Sequence, residues 1–458
     1  MRVSKFIILP AMVLLISSCA TNSAKQASQQ AVKQAIETPE SWAIKAQQYN
    51  DDSINWLKTF NDPMLLKFIA EGKANNLDLQ VAAGNMDRAW LLAKQSGAAL
   101  KPTVDLSLGR TQSGSTDGGV SNSNVAVGLD VSWELDVWGR ISAGVDAATA
   151  TAQAAEADYN FAQHSLSANI ANTYFLVIEA TLQADITVKN LATLEKGMRI
   201  TQAKYDNGLS SGQDVALTRA NLASAKEQLI QIEGSERDAL RALEVLLGRY
   251  PDASVEMPDT LPDLPQQPPA GIPSELLERR PDIVSAERQI ASAFSATDQA
   301  KAARLPSFSL TTSLSGASSS LSDVLKPTNV AWKLAGNLMA PLFDGGRRKI
   351  DIEIATVEQK QAIANYAQAA LTAFSEIENN LDQGAVLANR ETALSEAFRQ
   401  SDKAYSIAEL RYEEGEIELL DALQIQQQAI SAESQLLSIK RAQLEQRINF
   451  YLALGGSW

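Results

Sequence analysis

The residues able to do covalent chemistry are few, and their spacing defeats most of it. Gly208-Leu-Ser210-Ser-Gly212 fits G-x-S-x-G, the turn that presents a serine nucleophile between a strand and a helix. Here it lies between two long helical stretches, with no strand before it. The one histidine, His164, precedes Gly208 by 44 residues on the same stretch, roughly 65 Å away at helical rise. No serine–histidine pair can form on that geometry. One histidine and one cysteine offer no usual ligand set for zinc or iron. The chain reads as a non-enzyme without cofactor or metal.

The single cysteine, Cys19, has a different chemistry in its surroundings. Arg2 and Lys5 make a positive start, Phe6 to Ile16 form an apolar run too short to span a bilayer, and Ile16-Ser-Ser-Cys19 follows. Small residues directly before a cysteine resemble a bacterial lipobox. Residues 1–18 are therefore expected to be a lipoprotein signal peptide, with Cys19 lipidated (a palmitate-type acyl anchor) as first residue of the mature chain. Ordinary signal cleavage with a chance cysteine is the alternative. A sole cysteine precludes a disulfide framework, so an exported chain must be held by packing or assembly. The Ala/Ser/Gln/Lys-rich stretch after it, within 19–40, reads as a flexible tether.

Asp214 and Asp421 are the carboxylates whose positions invite a role, because they belong to a repeat. Leu135, Gly139, Arg140, Tyr159, Tyr205, Gly208 and Asp214 recur as Leu342, Gly346, Arg347, Tyr366, Tyr412, Gly415 and Asp421, each 207 positions later. Upstream, Pro102-Thr-Val-Asp-Leu106 matches Pro306-Ser-Phe-Ser-Leu310 at a shift of 204. The chain is two tandem copies of one unit, over 41–250 and 274–458, joined by a linker (251–273) with seven prolines.

Each copy carries the same elements. A helical segment (64–100, 281–304) runs into Pro102 or Pro306, which ends it. Alternating apolar residues then predict β-hairpins near 103–134 and 307–340, with Gly/Ser/Asn/Asp loops at 112–124 and 316–327. Long helical hairpins follow near 141–248 and 347–450. Their first arms have no proline and almost no glycine, and each is roughly 100 Å long at helical rise. Ile141, Val145, Ala148, Ala152, Ala155, Tyr159, Ala162 and Leu166 step by four and three, a heptad seam whose alanines allow close approach. No later stretch is apolar enough for a membrane helix, so a membrane portion must be a closed β-barrel. Four strands cannot close one; about eight are the minimum, and three chains would supply twelve. With 54 acidic against 40 basic residues and a net charge of −14, phosphate neutralisation and hence nucleic acid are excluded.

At this point five segments resemble the outer-membrane factor (TolC-like) family, in its lipoprotein branch serving resistance-nodulation-division multidrug efflux pumps. They are Trp56-Leu-Lys-Thr-Phe60-Asn-Asp-Pro63, Trp133-Glu-Leu-Asp-Val-Trp-Gly-Arg140, Leu277-Glu-Arg-Arg-Pro-Asp-Ile283, Leu342-Phe-Asp-Gly-Gly346 and Ala453-Leu-Gly-Gly-Ser-Trp458. The resemblance implies a mainly α fold with a membrane β-barrel portion: a trimeric twelve-stranded barrel in the outer membrane, continuous with a long α-helical periplasmic barrel. It implies a passive exit duct for multidrug efflux, a homotrimer docked through a periplasmic adaptor to an inner-membrane transporter. The alternatives are the exit duct of a type I protein-secretion system and a non-conducting coiled-coil envelope lipoprotein.

The same resemblance gives roles to the turns. Gly208, Leu209 and Ser210, with Gly415, Glu416 and Ile417, become adaptor contacts at the periplasmic tips, although a helix-ending glycine explains Gly208 and Gly415 by itself. Asp214 and Asp421 either cap the returning helices or ring a closed aperture with Arg411 and Tyr412. Gln424 stands where several relatives carry another aspartate, so the chain departs there from the gate network that the resemblance implies. Trp133 and Trp138 are membrane-interface aromatics or junction packing. Gly139-Arg140 and Gly345-Gly346-Arg347 read as structural, with arginine pairing to a carboxylate.

Overall fold

The computed structural model describes residues 24–44, 56–114, 116 and 122–456. The chain divides into two compact units. The first contains 84–158 and 282–370, together with the segment before 38; the second contains 38–83, 159–281 and 371–458. Cys19 and the leader lie outside the described residues, as does Trp458. Within the stretch expected as a tether, 19–40, residues 24–35 form a helix, α1, and 36–40 are not helical. Alanine, glutamine and lysine dominate it and are strong helix formers, so composition alone does not separate the two states.

The remaining elements follow in order: α2 (Trp56–Thr59), α3 (Pro63–Asn75), α4 (Leu77–Ala98), β1 (Thr103–Ser113), β2 (Asn122–Leu135), α5 (Arg140–Asp206) and α6 (Gly212–Leu246). Then come α7 (Pro273–Arg279), α8 (Pro281–Ala302), β3 (Ser307–Ser318), β4 (Val330–Met339), α9 (Arg347–Glu413) and α10 (Leu419–Ala453). The repeat is visible in the bounds. Helices α5 and α9 both have 67 residues and α6 and α10 both have 35, each pair offset by 207. Helices α4 and α8 both have 22, offset by 204. The three-residue step falls in the hairpin loops, which hold 8 residues between β1 and β2 and 11 between β3 and β4. The helical segment expected as 64–100 is broken at Asn76, whose backbone is extended at ψ 127. Its side chain accepts from Leu79 N and donates to Leu246 O at 3.0 Å, so it starts α4 and ends α6 together.

In the first unit, the strands form one antiparallel sheet in the order β1-β2-β3-β4. The register stacks Leu106, Leu129, Leu314 and Trp332 in one row, and Val104, Val131, Thr312 and Leu334 in a neighbouring one. The rows between hold Asp105, Asp130, Ser313 and Lys333, then Ser107, Gly128, Ser315 and Ala331. One face is therefore apolar and the other polar, as in a strand that faces lipid on one side and water on the other. Leu106 and Trp332 are each 77% exposed, so the middle of the apolar face is uncovered among the described residues, whereas Val125, toward the hairpin loops on the same face, is buried. The outer edges, β1 and β4, have no partner strand within the described residues. Below the sheet, the seam from Ile141 is joined by a second buried row on α5 at Ala143, Ala150, Ala154 and Ala157. A Cβ at Gly144 would meet the Gln299 side chain, and Ser292 donates to Ala147 O at 3.0 Å, so α5 and α8 lie close on small residues.

The second unit holds an aromatic core. Trp56 stacks on Tyr451, Phe60 meets Phe175 at 5.5 Å between ring centres, and Phe68 meets Tyr174 edge-on. The buried Tyr174 hydroxyl donates to Asp62 at 2.7 Å, while the other oxygen of Asp62 caps α3 through Met64 N and Leu65 N. Such buried aromatic pairs contribute about 1 kcal/mol each beyond their area. The proline-rich linker is not free. Buried Glu244 accepts from Ala253 N and Ser254 N, Arg447 donates to Pro265 O, and Trp42 donates to Gly271 O.

Candidate functional site

The two helical hairpins of the second unit end in turns with the same backbone. Asp206 and Glu413 end α5 and α9, and Gly208 and Gly415 follow with φ of +75 and +78. Leu209 N donates to Lys204 O and Gly208 N to Tyr205 O; Glu416 N donates to Arg411 O and Gly415 N to Tyr412 O. These are paired six-to-one and five-to-two bonds, the Schellman closure that a residue in the left-handed region permits. Nothing lies within 4 Å of a Cβ built at either glycine. The sign of φ, not crowding, is what favours glycine there.

The chemistry of the two turns diverges. At the first, Ser211 caps α6, and its hydroxyl accepts from Asp214 N at 3.1 Å. The Asp214 carboxylate accepts from Ser211 N at 2.9 Å and from the Ser210 hydroxyl at 2.8 Å, a complete capping box. These bonds, the Ser211 backbone bond first, hold its carboxyl below the usual range. At the second, Glu418 occupies the cap position and makes no side-chain cap bond. Ile417 stands where Ser210 stood in the first copy. Asp421 is exposed and has no hydrogen bond or ion pair among the described residues.

Arg411 and Tyr412 are not placed on either aspartate within the chain. Arg411 pairs with Glu416 at 3.1 Å. Tyr412 shares a hydrogen bond with Thr201 at 3.1 Å, and the Lys204 ammonium lies 4.2 Å from the centre of its ring while donating to its carbonyl. About two turns back along α5 from Lys204, Lys196 sits between Glu413 at 2.8 Å and Glu409 at 3.1 Å. Those carboxylates, Glu413 foremost, raise the Lys196 ammonium above its ordinary range. Lysines on α5 thus tie it to α9 just behind the turns, a link that the sequence reading did not include. A lysine on one arm facing Glu-x-x-x-Glu on its repeat mate was the available signal.

The serine of the G-x-S-x-G pattern is engaged with Asp214. His164 packs instead against Gly456, where a Cβ would come within 2.8 Å of its ring. Burial, then the nearby Lys73, lowers its pKa.

At the strand ends, Trp133 donates to Leu100 O at 3.0 Å and is 37% exposed. Trp138 donates to Pro306 O at 2.7 Å and its ring lies beside Phe308, so it bridges the two copies. Arg140 donates from one guanidinium nitrogen, Nη2, to both carboxylate oxygens of Glu134 at 2.9 Å. Asp136 was missed as a functional position: it accepts from Ile141 N, Ser142 N and the Ser142 hydroxyl, and so starts α5.

The sequence matches the family described as outer membrane efflux protein over residues 69–249 and 272–456, once in each copy. It is 29% identical over 459 residues to the pyoverdine export outer membrane protein OpmQ of Pseudomonas aeruginosa, covering 97% of this chain and 96% of that one. To the toluene efflux pump outer membrane protein TtgI of Pseudomonas putida it is 30% identical over 408 residues, covering 87% and 86%. The crystal structure of the Campylobacter jejuni CmeC outer membrane channel superposes with a TM-score of 0.86 at 26% identity, covering 92% of this chain and 94% of that one. Outer membrane efflux channels are homotrimers that work with adaptors and inner-membrane pumps, and a mainly helical tandem repeat whose four strands are one third of a twelve-stranded barrel meets that description. The chain belongs to the outer membrane efflux protein family, and it is an outer-membrane channel component of an efflux system.

Proposed function

We propose that the trimer is a passive duct for small amphipathic or toxic solutes, delivered by a resistance-nodulation-division transporter through a periplasmic adaptor. The observation that carries this reading is the family match in both copies, with relatives named for pyoverdine export and toluene efflux. Cys19 carries the acyl anchor in this reading, set in the outer membrane beside the barrel. Trp133 and Trp138 lie at the membrane boundary. Gly208, Leu209, Ser210, Gly415, Glu416 and Ile417 form the adaptor-facing tips; Leu209, 78% exposed, supplies apolar surface for such a contact. Asp421 is the stronger gate candidate, because Asp214 is already held in place by two donors on one of its oxygens.

Deleting the gene tests the reading: tolerance to several unrelated compounds should fall together. Unchanged tolerance across a broad panel, with loss of a secreted protein instead, would favour a type I secretion duct. Absence of any channel in planar bilayers, with adaptor present, would overturn conduction itself.

A further inference from the structure

Where the strands meet the helices, the first unit contains a cavity of about 490 Å³ that no role described above uses. Its lining includes Trp138, Asp146, Asp298, Lys301, Arg304 and Leu305. Trp138 lies three residues after the end of β2, and Leu305 two residues before the start of β3. The border of the cavity at Trp138 and Leu305 is therefore within about 10 Å of the strand ends along the chain, at the level where a barrel strand leaves the hydrocarbon, while Asp146 lies deeper, in the second turn of α5.

The charges in the cavity are arranged in a particular way. Lys301 and Asp298 neutralise each other at 3.0 Å. Asp146 and Arg304 remain, both exposed at the cavity mouth, and neither side chain has a hydrogen bond or ion pair among the described residues. Asp146 is open to solvent, yet the protein around it desolvates its carboxyl enough to raise it above the usual range. The Trp138 N–H is already committed to Pro306 O, so the indole offers the cavity only apolar surface. Leu305, 43% exposed, adds to it. One unpaired cation, one unpaired anion and an apolar border describe a site for an amphiphile whose polar end is a zwitterion.

We propose that this cavity binds the headgroup of a phosphatidylethanolamine lipid of the periplasmic leaflet, with the phosphate on Arg304, the ammonium on Asp146 and the upper acyl chains along Trp138 and Leu305. An arginine fork suits phosphate oxygens, and an indole face suits the boundary between headgroups and chains. An anionic lipid without an ammonium would leave Asp146 unpaired and repelled. The proposal rests on the family's barrel, not on what the duct conducts, so failure of the conduction reading leaves it standing.

Native mass spectrometry of the detergent-purified trimer, titrated separately with dioleoyl phosphatidylethanolamine, dioleoyl phosphatidylglycerol and free O-phosphoethanolamine, tests it. Phosphatidylethanolamine should be retained at one molecule per chain, about tenfold tighter than phosphatidylglycerol. Asp146→Asn should erase that preference, Arg304→Gln should weaken both lipids, and the free headgroup should bind far more weakly than the lipid. Equal retention of the two lipids by the unaltered trimer would overturn the assignment, as would insensitivity to both substitutions. Binding of the free headgroup as tightly as the lipid would do so too, by making this a site for a soluble anion. If a variant yields no trimer, the lipid ratio on the unaltered protein decides alone.

Discussion

At the residue scale, the two turns separate what a glycine does from what a carboxylate does. Gly208 and Gly415 share a left-handed backbone and open space, so alanine at either costs strain and not a clash. Each substitution should lower stability by about 1 kcal/mol, read as a small fall in melting temperature by circular dichroism. Asp214 differs from Asp421 by its partners. Ser211→Ala removes half of a capping box and should cost about 1 kcal/mol, whereas Asp421→Ala should leave the melting temperature unchanged. The Asp214 carboxyl is lowered from its usual value near 3.8 in the folded chain. Its contribution is thus present above that value and disappears as pH falls through the folded value. The melting difference between the unaltered protein and Asp214→Asn should shrink toward zero on acidification below about pH 3.8. A difference that persists there would assign the effect to packing. Sequence placed both aspartates at one position of the repeat, and that shared position concealed that only one has donors around it.

At the element scale, the fold was legible wherever a period ran long. Helices α5 and α9 contain no proline, and the strands alternate apolar and polar residues in register. Three features had no period to read. Helix α1 has a composition shared by tethers and helices. The break at Asn76 depends on Leu246 O, 170 residues away. The link from Lys196 to Glu409 and Glu413 depends on which faces of α5 and α9 meet. The change of repeat shift from 204 to 207 was readable, and the structure gives its cause in the longer second hairpin loop. That loop folds back: Val324 is 2% exposed, and a Cβ at Gly316 would come within 2.2 Å of its carbonyl oxygen. Backbone cannot retreat as a flexible side chain does. Gly316→Ala should therefore destabilise the loop by about 1–3 kcal/mol, raising protease cleavage within 319–329 while Gly109→Ala, on the first hairpin with open space, leaves cleavage unchanged.

At the scale of the whole molecule, the trimer multiplies each side chain by three, and this is where the carboxylates acquire consequence. Asp421 is exposed and unneutralised within the chain, so if it faces the axis it places three like charges around one aperture, which attract cations and repel one another. Asp214 accepts from both Ser210 and Ser211 on one carboxylate oxygen, and any field it adds is set by a group fixed for another purpose. In planar bilayers Asp421→Ala should change leak conductance and lower cation preference, with an unchanged melting temperature. Asp214→Ala should lower the melting temperature with little change in conductance. Screening gives an independent reading, because charges facing water lose their influence beyond about 8 Å at physiological salt. The cation preference of the unaltered channel should therefore fall steeply between low and high salt, and that of Asp421→Ala should be nearly flat. Parallel salt dependence in the two proteins would move the selectivity away from the tips, toward the polar face of the sheet, where Asp105 and Asp130 share a row with Lys333.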